Sequence, residues 1–149
     1  MKKLFKTLAL TLALVLPFAA MAQEETAKTT INVGGDESSP NIAWTVTAEE
    51  EGDGIFVSTF DGAIAEGYRG YPMTDFSAPI FFVGDSEIAA SEVSEPLKDQ
   101  LVDMHGDKVY QGKAEYVFRV KGQNGDVVKG SIMATICSDK DNFCTQADH

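Results

Sequence analysis

The chain has 149 residues, with 12 basic against 23 acidic side chains, a formal net charge of −11, 44% apolar residues, two Cys and two His. That is the size of one domain and too short for a multidomain enzyme. The acidic excess argues against nucleic acid and anionic membrane surfaces as partners, because neutralising phosphates takes clustered Lys and Arg.

In chain order, residues 1–22 read as a signal peptide. Lys2, Lys3 and Lys6 form a basic start, Leu8 to Leu16 with Pro17 and Phe18 an apolar run, and Ala20-Met21-Ala22 a small-x-small cleavage pattern. Cleavage is expected before Gln23. No later stretch approaches 18 consecutive apolar residues, so we expect a periplasmic protein with no membrane insertion of the mature chain. No Cys follows the cleavage site to carry a lipid anchor. Residues 23–30 are polar and aperiodic and are expected to be a flexible lead-in, leaving 31–149 as a single domain.

Within that domain the period is two. Ala43 to Ala48 alternates around Trp44 and Val46, Ile55 to Phe60 is β-branched and aromatic, and Ile80-Phe81-Phe82-Val83 suits a strand buried on both faces. Glu51-Gly52-Asp53-Gly54 and Asp61-Gly62 are turn chemistry. Glu95 to Met104, with Leu97, Leu101 and Met104 at helical spacing, reads equally as a helix or an extended loop. Ala114 to Val120 places Tyr116 and Phe118 on one face and Glu115 and Arg119 on the other. Val127 to Cys137 follows, and Asn124-Gly125 between them is a strong hairpin signal. Six to eight strands with few helices predict an all-β, immunoglobulin-like antiparallel β-sandwich, with Trp44 and the Phe residues in its core.

Cys137 and Cys144 are the only thiols, and an exported chain should join them in one disulfide. Two readings stand side by side. As a staple the bond is weak, since closing about eight residues restricts the unfolded chain by roughly 2.5 kcal/mol, against nearly 5 for about 100. As a redox pair, short spacing keeps the resolving sulfur near. Two Cys and two widely separated His give no zinc-ligand spacing, and Asp139 and Asp141 lack the Gly and terminal Glu of a calcium loop. His105 reads as an ordinary loop histidine. No cofactor or metal is expected, and no nucleotide loop or Ser-His-Asp arrangement is visible.

From about Trp44 to Cys144 the chain resembles the amino-terminal periplasmic domain of DsbD-type thiol:disulfide interchange proteins. The likeness lies in Gly67-Tyr68-Arg69-Gly70-Tyr71, Pro79-Ile80-Phe81-Phe82, Val109-Tyr110-Gln111-Gly112 with the strand through Phe118, and Lys129-Gly130-Ser131 leading through Cys137 to Phe143-Cys144. The resemblance implies an immunoglobulin-like domain that passes electrons to or from thioredoxin-like or other disulfide-exchange proteins. Cys137 and Cys144 would be the exchanging, catalytic pair, with Tyr71 lining the site beside Phe143, and a covering loop near Met104, next to Asp103. The chain departs from the family in several places. Six residues separate its cysteines where five are usual, Thr145-Gln146-Ala147 replaces a common Pro-Pro, the covering loop lacks a Phe, and Arg69 stands where some members have a Tyr. With the chain ending at His149, any electron donor is expected to be a separate protein. The alternative function is a non-catalytic immunoglobulin-like binding module with a structural disulfide.

Overall fold

The computed structural model describes residues 28–122 and 129–149. Eleven strands are present there: β1 Lys28–Gly34, β2 Ile42–Gly52, β3 Ile55–Ile64, β4 Tyr68–Arg69, β5 Ile80–Val83, β6 Ser86–Glu87, β7 Val102–Met104, β8 Asp107–Val109, β9 Lys113–Lys121, β10 Gly130–Ser138 and β11 Cys144–Asp148. Every pairing is antiparallel. One sheet runs β1-β2-β3-β9 and the other β11-β10-β5-β6, with β4 also on β10, while β7 and β8 form a ribbon of their own. The architecture is the expected immunoglobulin-like antiparallel β-sandwich. Among the described residues no helix is long and apolar enough to cross a membrane.

Period-two alternation explains which faces meet. Ile42 and Trp44 on β2, Phe56 and Ile64 on β3, and Ala114, Tyr116, Phe118 and Val120 on β9 are buried against Phe81, Ile132, Ala134, Ile136 and Ala147 of the opposing sheet. Phe81 bridges the layers, its ring centroid 4.9 Å from Phe60, 5.1 Å from Phe118 and 5.5 Å from Tyr116. Arg119 lies on the outer face, paired with Glu51 at 2.8 Å, so Tyr116 and Arg119 part as the alternation predicts.

The β2–β3 turn forms at Asp53-Gly54, both at positive φ (54° and 72°), as hairpin turns require. Asp61-Gly62 does not turn: it lies inside β3, where Gly62 pairs with Trp44. A Cβ on Gly62 would sit 2.7 Å from the indole Cζ3, so this glycine makes room for the tryptophan.

The hairpin expected at Asn124-Gly125 lies outside the described residues. The strands on either side of it do not pair with each other: β9 joins β3, and β10 joins β4, β5 and β11. Each strand has one apolar face, and those two faces meet across the core, which places the strands in opposite layers. In β5 only Phe81 is fully buried; Ile80 and Phe82 alternate to the other face and are half-covered, so the strand is not buried on both faces as expected. The segment from Glu95 forms a 3₁₀ turn at Lys98–Gln100 and then β7, in place of an α-helix. β1 begins at Lys28, so residues 28–30 are strand where a flexible lead-in was expected: they pair with Glu49, Ala48 and Thr47 of β2.

Candidate functional site

Cys137 and Cys144 are bonded to each other. They are directly opposed partners on β10 and β11, with Cα atoms 4.0 Å apart. Ile132, Ala134 and Ile136 point into the core, so Cys137 is out of phase with them and lies on the outer face of its sheet. There it is 1% exposed, in a second apolar cluster with Tyr71, Val109 and, partly buried, Met104. Cys144 is exposed.

The cover over Cys137 is the β7–β8 ribbon. Its tip is a two-residue turn, His105-Gly106, at φ 55° and 95°. Asp103 holds that tip, accepting from the Gly106 N–H at 3.2 Å and pairing with Lys108 at 3.6 Å. Gly70 and Tyr110 anchor the base through reciprocal backbone hydrogen bonds of 2.9 Å. The ribbon pairs with no other strand among the described residues.

Tyr71 and Met104 therefore gather at the disulfide. Asp103 alternates to the other side of β7 from Met104 and serves the turn. Phe143 is 68% exposed beside Cys144 and outside the buried cluster. His105 is an exposed turn residue. Val109 belongs to the cover although sequence reading assigned it no role; its segment was singled out, but nothing local showed that it would fold over a cysteine 28 positions later.

Arg69 is the second residue without an assigned role. Opposite Cys137 across β4 and β10, its guanidinium donates to the Tyr71 hydroxyl (3.2 Å), the Ser138 carbonyl (2.8 Å), Asp139 Oδ1 (3.4 Å) and Asn142 Oδ1 (2.8 Å). Asp139 also accepts from Gln111 at 3.1 Å, and its N–H donates to the Gly67 carbonyl. Asn142 closes the loop between the cysteines at φ 58°. The Phe143 N–H donates to Asp141 Oδ1, which holds the Asp141 carboxyl below its ordinary pKa.

Two tyrosines tie the site to the core. Tyr116 donates to the Tyr71 carbonyl at 2.6 Å, and Tyr110 to Glu95 Oε1 at 3.0 Å. Both phenols are held above their ordinary pKa of 10.0, first by burial and then by negative charge nearby, Glu95 included. In the unfolded chain they ionise near 10, so their contribution to stability is whole below about pH 10 and is lost as pH rises toward the folded values. The melting temperature is expected to fall steeply above about pH 10, with tyrosinate absorbance from these two rings appearing together with unfolding. Ionisation of both rings well before unfolding would contradict it.

No protein-family model matches the chain, and no curated protein does. Among solved structures it is similar to the N-terminal periplasmic domain of ScsB from Proteus mirabilis, at 17% identity and a TM-score of 0.54. The match covers 84% of this chain and 50% of that one, so the chain spans half the length of this structural neighbour. The likeness is one of fold.

Proposed function

We propose that this protein is a DsbD-like periplasmic thiol:disulfide interchange domain acting through Cys137 and Cys144 on thioredoxin-like partners. The basic, apolar and Ala20-Met21-Ala22 segments support export with cleavage before Gln23. The observation that carries the reading is the asymmetry of the disulfide, with Cys137 buried beneath a separate cover and Cys144 exposed at the end of a short loop. A staple gains little there, because β10 and β11 already pair along five residues and the closed loop is short. Exchange gains directly, since it depends on which sulfur is accessible.

The partner's thiolate attacks Cys144 Sγ, forming an intermolecular S–S bond as the Cys137–Cys144 bond breaks. The electron pair leaves on Cys137 as thiolate, which takes up a proton. The partner's second thiol then attacks its own sulfur in the mixed disulfide and releases Cys144, so two electrons and two protons pass from the partner dithiol to this pair. The reverse sequence oxidises it. Phe143, exposed beside Cys144, supplies apolar contact for docking.

Equilibration with a dithiol buffer tests the proposal. A reduction potential less negative than about −300 mV is expected, within reach of cellular dithiols. A more negative value returns the protein to an immunoglobulin-like binding module with a structural disulfide.

A further inference from the structure

We propose that Arg69 is the positioning residue that holds the two sulfurs in closing geometry, and so sets the equilibrium between disulfide and dithiol. The inference rests on the exchange reading above. Its basis is the guanidinium's place at both ends of the inter-cysteine loop: it donates to the carbonyl of Ser138, next to Cys137, and to the side chain of Asn142, two residues before Cys144. It also reaches Tyr71, which lies against Cys137. A planar fork of donors spans these acceptors in a way an ammonium does not.

Its charge faces several groups. Asp139 pairs with it directly at 3.4 Å, and the Tyr71 hydroxyl accepts from it. On the loop stands Asp141, whose carboxylate is engaged with the Phe143 N–H, and Gln111 joins Asp139 from the segment beyond β8. With the cation compensated this closely, geometry outweighs charge. The clamp fits the closed loop, so its hydrogen bonds are worth more in the disulfide form than in the dithiol, whose loop ends are held by the β10–β11 pairing and the Ser138 N–H to Phe143 carbonyl bond but no longer by the sulfurs. By reciprocity, Arg69 favours the disulfide and the disulfide favours the Arg69 contacts.

The sign separates this reading from its rival. Without the clamp the reduced loop is looser, the effective concentration of one thiol at the other falls, and the disulfide becomes easier to reduce. Were Arg69 acting chiefly as a cation stabilising the Cys137 thiolate, its removal would make the disulfide harder to reduce. The experiment compares the full chain with Arg69→Met and Arg69→Lys, measuring the equilibrium with a dithiol buffer and the melting temperatures of oxidised and reduced protein. The expected result is a three- to tenfold shift toward dithiol in both variants, up to about 30 mV, with a smaller gap between oxidised and reduced melting temperatures. Wild-type behaviour in Arg69→Lys, or a shift toward disulfide in Arg69→Met, overturns the proposal. So does a lower melting temperature of both forms with an unchanged equilibrium. The comparison is a ratio within one buffer, so it stands apart from the absolute potential, which alone decides whether the pair exchanges.

Discussion

Cys137→Ser is expected to leave Cys144 as a fast-reacting thiol that forms a stable mixed disulfide with a thioredoxin-like protein lacking its resolving cysteine. Cys144→Ser is expected to leave Cys137 at least about tenfold slower toward the same partner and toward a small alkylating reagent. Two physical effects point the same way. Cys137 is 1% exposed beneath Tyr71, Val109 and Met104, so an attacking sulfur has no line to it. Apolar surroundings also disfavour the thiolate, which is the reactive form. Each variant loses the same cross-link, worth roughly 2.5 kcal/mol for so short a loop; Cys137→Ser also buries a hydroxyl among apolar side chains and should melt somewhat lower than Cys144→Ser, while the rate difference reports access and thiolate fraction together. Mass spectrometry after timed alkylation reads the rates. Equal rates would mean that the cover opens freely and selects neither sulfur.

Met104→Ala is expected to speed reduction of the disulfide by a small dithiol several-fold while lowering stability by only about 1 kcal/mol. Met104 is half-buried on the second cluster, so truncation removes part of a side chain whose full burial is worth about 1.5–3 kcal/mol. The ribbon that carries it consists of two three-residue strands that pair with no other strand among the described residues and are anchored at the base by Gly70 and Tyr110, and such a unit opens with little free energy. A thioether fills the gap over Cys137 against Tyr71 and Val109 without demanding one geometry. Stopped-flow reduction and thermal melts on the same variant give both quantities. A loss of about 2–5 kcal/mol, the range for core truncations, with an unchanged reduction rate would assign Met104 to packing and remove the cover.

The all-β class was legible because alternation is a local property. Trp44, Tyr116 and Phe118 declare an inner face in any structure that buries them, and their burial follows that pattern. Asp53-Gly54 was legible for the same reason, since positive φ at both positions is a demand on two residues alone. Asp61-Gly62 has the same kind of composition and the opposite outcome. What decides its glycine is the Trp44 ring from the neighbouring strand, which no window around Gly62 contains. Asn124-Gly125 misled on pairing for a related reason, because a turn signal does not say whether the chain returns to its own sheet or crosses to the facing one.

By itself the sequence determined that two thiols stand seven positions apart with no competitor, and that alternation around Trp44 and through Tyr116 and Phe118 marks an apolar face. Only the tertiary structure decided which cysteine is covered and which is open. Burial of Cys137 is supplied by Tyr71, Met104 and Val109, which lie 66, 33 and 28 positions upstream in the numbering, and the loop geometry by Arg69, 68 before it. Spacing within the chain carries the reach of a bond between neighbours, whereas solvent access depends on whichever distant segment packs against the outer face.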